Sequence, residues 1–198
     1  MKNLWPACSA CLLLLLAGCS THIAKLDYQP AASPVTAPVQ SAATLTVGRF
    51  NDMRGTRSDW LGAIRGGFGN PLKRLYTDRP TTEVVESAFR DALKSRNMLG
   101  DGPSSRVTLR GSIKKLDCSY YFNREAHAHI LVELVDAQAG TSFYSQTYMT
   151  DNTEDGVGAG IFGDPDHLAQ FAQKTLNETI DKALSDPALV AALRGRAP

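Results

Sequence analysis

Chemistry in this chain could reside first in His127 and His129, which stand two residues apart in the run EAHAHILVELV. In a strand that spacing places both imidazoles on one face, where they could grip a metal. A metal site needs third and fourth ligands, and only Glu125 and Glu133 share that face nearby, so no metal site is assigned. GAGIFG (158–163) matches G-x-G-x-x-G, the pattern that brings backbone N–H groups against a pyrophosphate. That fingerprint requires a strand running directly into it and a βαβ unit continuing beyond it. Here only helical patterns follow, and Asp181 would sit on one of those helices, so no nucleotide or other cofactor is expected. No serine or cysteine stands in an elbow or triad context, and Glu154 with Asp155 reads as a solvated loop. No catalytic residue is assigned, and the chain is read as a non-enzyme.

The remaining reactive group is the thiol of Cys19, and its setting decides where the protein resides. Lys2 precedes a short apolar core, Ala10 to Ala17, that ends in polar residues. A spanning helix needs roughly 20 apolar residues, so residues 1–18 read as a secretory signal peptide. Leu16, Ala17, Gly18 and Cys19 resemble the lipobox of bacterial lipoproteins. The resemblance implies cleavage before Cys19, a diacylglycerol on its sulfur and a further acyl chain, such as palmitate, on the new amino terminus. Two or more chains make anchoring stable. Ser20, where an acidic residue could stand, implies sorting to the outer membrane, with the domain facing the periplasm. Cys8 and Cys11 leave with the signal, so Cys118 has no disulfide partner and reads as a small buried hydrophobe. Loss of residues 1–18 removes Lys2 and no acid, leaving 20 basic against 20 acidic residues. A balanced chain has no broad electrostatic footprint for nucleic acid.

The elements that would position any site follow from periodicity. Residues 19–43 comprise the lipidated cysteine and a tether rich in proline and small residues, expected to be flexible and to span roughly 25–30 Å. Residues 44–198 are expected to form one domain. TLTVGRF (44–50) alternates as a strand, and 54–80 reads as a long glycine-rich loop. Val85, Ala88, Phe89, Ala92 and Leu93 share a helical face between Pro80 and Gly100. The next strand carries Val107, Leu109, Gly111 and Ile113 inward, then Leu116, Cys118 and Tyr120, a phase change that a bulge near Lys114 would produce. Residues 125–135 and 141–150 give two more strands around a turn at 136–140, and Asp164–Pro165 and Asp186–Pro187 open two helices. The predicted fold is α+β, in the order β-α-β-β-β-α. It is a mixed four-stranded sheet with two helices on one face and a short C-terminal helix.

On TLTVGRFNDMRG, VVESAFRDALKSRNMLG and the final helix LAQFAQKTLNETIDKAL (168–184), the chain resembles the YajG-like family of small bacterial lipoproteins. The resemblance implies a non-catalytic, partner-binding role in the cell envelope. The predicted topology gathers three connections, 51–80, 119–124 and 151–164, at one end of the sheet. They carry Trp60, Phe68, Tyr120, Tyr121, Phe122, Ile161 and Phe162, the candidate partner-binding residues. Arg57, Arg65, Lys73 and Arg74 in the first connection are candidates for holding anionic groups. Two functions are therefore expected: an accessory or scaffold lipoprotein binding an envelope protein through this loop face, or a lipid- or glycan-binding module of an envelope transport system. The tether is expected to join the sheet at the opposite end, so that the loop face points away from the anchor. Composition and pattern do not specify an oligomeric state.

Overall fold

The computed structural model describes residues 20–30, 44–100, 105–156 and 162–195. Cys19 and Ile161 lie outside the described residues, as does most of GAGIFG. In chain order the elements are β1 (Ser20–Ala24), β2 (Leu45–Asp52), β3 (Trp60–Arg65), β4 (Pro71–Thr77), α1 (Thr81–Ser95), β5 (Val107–Tyr120), β6 (Arg124–Asp136), β7 (Ser142–Glu154), α2 (Pro165–Leu184) and α3 (Pro187–Arg194).

Among the described residues the expected four-stranded sheet is corrected to a seven-stranded mixed sheet, accompanied by three helices, the third of them the short C-terminal one. Three strands account for the difference. β3 and β4 form an antiparallel hairpin in place of the expected loop, and β1 runs parallel to β4 at the sheet edge, in place of the expected tether. Beyond β1, Leu26 and Tyr28 are also buried. The order is β1-β4-β3-β5-β6-β7, and β2 also pairs with β5.

β5 organises the sheet. One edge pairs with β6 along its whole length, with a register shift between Ile113 and Lys115. The other edge is divided, because β2 runs parallel to Val107–Ile113 and β3 runs parallel to Cys118–Tyr120. Arg54 fills the interval. Its guanidinium donates to the carbonyls of Leu116 (2.9 Å) and Trp60 (2.8 Å), and Asp52 holds it at 2.8 Å. A side chain thus satisfies backbone carbonyls that a continuous strand would otherwise pair. Backbones approach closely beside it: a Cβ on Gly62 would lie 1.9 Å from the Cys118 carbonyl oxygen.

Both long helices cover one face. α1 packs on β2 through Val84, Val85, Ala88, Phe89, Ala92 and Leu93, with Phe89 stacked on Phe50 at 5.3 Å. It ends through Asn97 in the left-handed region (φ 55°), ahead of Gly100. α2 lies over β5, β6 and β7 with Leu168, Phe171, Leu176, Ile180 and Leu184 buried. Full burial of each such side chain contributes about 1.5–3 kcal/mol. Asp164 caps α2 and Asp186 caps α3, each accepting from a backbone N–H two residues on. Asp186 also accepts from the Tyr144 and Tyr148 hydroxyls, which draws β7 to the α2–α3 junction. Arg96, Asp181 and Tyr28 make a similar tie, joining the end of α1 to α2 and to the segment after β1.

Candidate functional site

The candidate partner-binding residues divide between the two ends of the β3–β4 hairpin. Trp60 opens β3 and Phe68 lies in the turn at its other end, so the length of this six-residue strand, roughly 17–20 Å, separates them. Trp60 is half-buried and edge-on to Tyr76, with ring centroids 5.4 Å apart. Arg57 lies over the Tyr76 ring at 4.6 Å and donates to Asp59 at 2.9 and 2.6 Å. At this end the aromatic and basic groups are engaged with one another.

The other end is built differently. Gly66, Gly67, Phe68 and Gly69 make the hairpin turn, closed by Gly69 N–H donating to the Gly66 carbonyl at 2.8 Å. Gly69 has φ of +78°, where a side chain would be strained. The β5–β6 turn lies alongside, for the Tyr121 hydroxyl donates to the Gly67 carbonyl at 2.7 Å. Tyr121 packs against Phe122 at 4.2 Å between centroids. The chain preceding α2 arrives at the same place: Lys73 Nζ donates to the Gly163 carbonyl at 2.8 Å, and a Cβ on Gly163 would lie 2.7 Å from Ile64 Cγ2. The structure therefore brings Phe68, Tyr121, Phe122 and Phe162 to one end of the sheet. Phe68 is 101% exposed, Phe162 92% and Phe122 65%. Tyr120, by contrast, is buried, and Arg124 lies over its ring at 4.6 Å.

The basic candidates are dispersed. Arg65 donates to the Gly69 carbonyl and so braces the hairpin turn. Lys73 is committed to Gly163, and Arg57 to Asp59 at the far end. Arg74 is half-buried on β4, opposite Ala63 of β3.

The start of the described chain alters the expected orientation. Ser20 pairs with Lys73, and Lys73 pairs with Ile64, which in turn pairs with Tyr120. β1 therefore begins at the end that carries Phe68, Phe122 and Phe162, and runs away from it. The expectation that the chain enters the sheet opposite the loop face is overturned, because the first paired strand is β1 and not β2. His22 on β1 reaches Asp166 in the first turn of α2 at 3.1 Å, fixing this corner.

A second constellation lies on the face that α1 and α2 leave uncovered. Asp151 of β7 stands opposite His127 in the β6–β7 register. Its Oδ1 meets His127 Nδ1 at 2.5 Å and His129 Nε2 at 2.8 Å. Desolvation opposes ionisation of this carboxyl, but the two imidazole contacts outweigh it and hold its pKa below the usual value. Sequence reasoning pairs the histidines with Glu125 and Glu133 and misses Asp151. The signal lies in the 136–140 turn, which sets residue 127 across from 151. Both imidazoles converge on one carboxylate oxygen, and among the described residues no group of three or more His, Cys, Asp or Glu is placed to hold a metal ion. Cys118 is buried, and desolvation pushes its thiol well above the ordinary range, which suits packing and not nucleophilic attack.

Grooves of about 610 and 480 Å³ flank α2. The larger is lined by polar chains such as Gln173, Lys174 and Glu178, and neither includes the exposed phenylalanines. Among the described residues no helix is long and apolar enough to cross a membrane.

No protein-family model matches the chain, and no curated protein matches it in sequence. Its fold is shared with solved structures. The chain is similar to protein XCC0632 from Xanthomonas campestris, of the DUF330 family, with a TM-score of 0.65 and 13% identity over 88% of this chain and 97% of that one. An uncharacterised protein matches with a TM-score of 0.52 and 10% identity over 82% and 95% of the two chains. PelC of Paraburkholderia phytofirmans, solved as a dodecamer, matches at 0.43 and 14% identity over 76% and 92%. At these identities the likeness to the first two is one of fold.

Proposed function

We propose that this protein is a non-catalytic accessory lipoprotein of the bacterial envelope, related in role to the YajG-like group. In this reading it is anchored by acyl chains on Cys19, held at the outer membrane facing the periplasm, and serves an envelope partner. The observation that carries the reading is the adjacency of Leu16-Ala17-Gly18-Cys19 to a folded strand that starts at Ser20. An acyl anchor there would place the phenylalanine-bearing end of the domain at the membrane. An exposed apolar patch of this kind marks contact with protein or lipid.

The alternative, a module that binds lipid or glycan through Trp60, Phe68 and the loop arginines, draws less support. Trp60 and Phe68 stand at opposite ends of the hairpin, and Arg57, Arg65 and Lys73 already hold Asp59, Gly69 and Gly163.

Mass spectrometry of the mature protein tests the anchor: the expected amino terminus is an acylated Cys19, and an unmodified terminus refutes the reading. In fractionated cells Cys19→Ala should lose processing to that acylated form. Crosslinking from position 162 in intact cells should capture an envelope component, and an absence of any adduct to protein or lipid would refute a role for this end.

A further inference from the structure

Resting on the acyl anchor just proposed, we infer that Phe68, Phe122 and Phe162 form a second membrane contact, inserting into the lipid interface beside the acyl chains. The occupant of this apolar end is then the bilayer surface itself, and three features argue for it.

The first is reach. Consecutive Cα atoms are about 3.8 Å apart, so the acylated residue lies within that distance of Ser20. Ser20 is already paired with Lys73 in the sheet. No spacer remains between lipid and fold, and the end of the domain nearest Ser20 must lie against the bilayer. The hairpin turn projects past this point, because residues 66–70 precede Pro71 while Ser20 aligns with Lys73.

The second is the state of the rings. Phe68 stands at the apex of a glycine turn and packs on no core, whereas the core phenylalanines Phe50 and Phe89 are buried. Phe68, Phe122 and Phe162 come from three separate connections that converge there, so together they present an apolar rim and not a single stray side chain. Burial of apolar side chains a few ångströms into the headgroup boundary is how a surface contact gains strength from lipid.

The third is charge. Lys73 turns inward to the Gly163 carbonyl, and Arg65 turns to that of Gly69. Arg124 pairs with Glu154 at 3.6 Å, and His22 with Asp166 at 3.1 Å. The cations at this end are thus already held by carbonyls or an acid, so the contact depends on ring insertion and would be weakly sensitive to salt and to anionic lipid. Two kinds of contact, chains and rings, would hold the domain in a fixed orientation, with the His127–Asp151–His129 face directed sideways along the membrane.

The test uses the acylated full chain purified from membranes and placed in phosphatidylethanolamine–phosphatidylglycerol vesicles. Trp60→Phe removes the single tryptophan of the mature chain, and single tryptophans then replace Phe68, Phe122, Phe162 or, as a control, Gln138 in the far turn. Lipids brominated along the acyl chain should quench the first three at least twofold and leave the Gln138 probe unchanged. Deuterium exchange of the unsubstituted protein provides a check that needs no variant: amides of 66–70 and 121–123 should slow on vesicles, while 137–140 keep their rate. Tryptophans at the three positions that remain open to aqueous iodide and unquenched by bromolipid, in protein whose mass confirms its acyl chains, would overturn ring insertion while leaving the anchor intact. A mass lacking acyl chains would overturn the anchor, and the inference with it.

Discussion

The two ends of the β3–β4 hairpin carry similar residues and reach opposite outcomes. At the Trp60 end, Tyr76, Arg57 and Asp59 close over one another, and Arg54 threads beneath to complete the edge of β5. At the Phe68 end the turn is glycine-rich, and rings from three connections face outward. Aromatic and basic composition therefore does not distinguish a structural cluster from a binding one. What distinguishes them is ring exposure: cations at both ends hold an acid or a carbonyl, but Phe68, Phe122 and Phe162 stay exposed while Trp60 packs edge-on to Tyr76. The Trp60 end uses its groups to hold the sheet together, and the Phe68 end leaves its rings available.

The contrast can be broken experimentally, starting at the Trp60 end. Arg54→Met should have the largest effect, a loss of about 3 kcal/mol or more in urea unfolding. It strands the Leu116 and Trp60 carbonyls and leaves Asp52 without its partner. Trp60→Ala should cost about 2 kcal/mol, less than a fully buried tryptophan because this one is half-exposed. A stability change below the error of the measurement for either would mean that this end is not the structural one.

A smaller, pH-dependent effect belongs to Asp52. Hydrogen bonds from Arg54 hold its carboxyl below the usual value, although burial opposes them. Its folded pKa is depressed, so its stabilising contribution is fully present above the unfolded value of about 3.9 and is lost as pH falls through the folded value. Urea midpoints measured from pH 7 down to pH 2.5 should therefore show a contribution that is intact above about pH 4 and declines progressively below it. Asp52→Asn should flatten that limb, and an unchanged profile would contradict the assignment.

The smallest effect should come from Phe68→Ser, within about 0.5 kcal/mol of the parent protein, since the ring packs on nothing within the fold. A loss near that of Trp60→Ala would show that Phe68 is structural after all, and would erase the difference between the two ends.

The long periodic elements are legible in the amino-acid pattern. The apolar face of α1, the alternation of β5 and β6, the bulge after Ile113 and the left-handed Gly140 follow from local spacing and from one sterically demanding position. β3 escapes that reading because WLGAIR is buried at four consecutive positions and shows no alternation. β4 carries two cations that read as surface but are half-buried, and β1 is five residues long in a proline-rich context. The exposed rings are identifiable as residues, but Trp60 cannot be separated from Phe68 without the hairpin that sets them apart.

Sequence by itself determined the lipobox-like run at Leu16–Cys19, the near neutrality of the remaining chain, and the helices and strands whose apolar residues recur at their own period. These are properties of neighbouring residues and need no distant partner. Tertiary structure alone decided that Ser20 pairs with Lys73, that Asp151 meets both histidines, and that the phenylalanines gather where the chain enters the sheet. A parallel strand pair such as β1 and β4 joins segments some fifty residues apart. No local pattern records that pairing, because it depends on which sheet edge is left open once the other strands have packed.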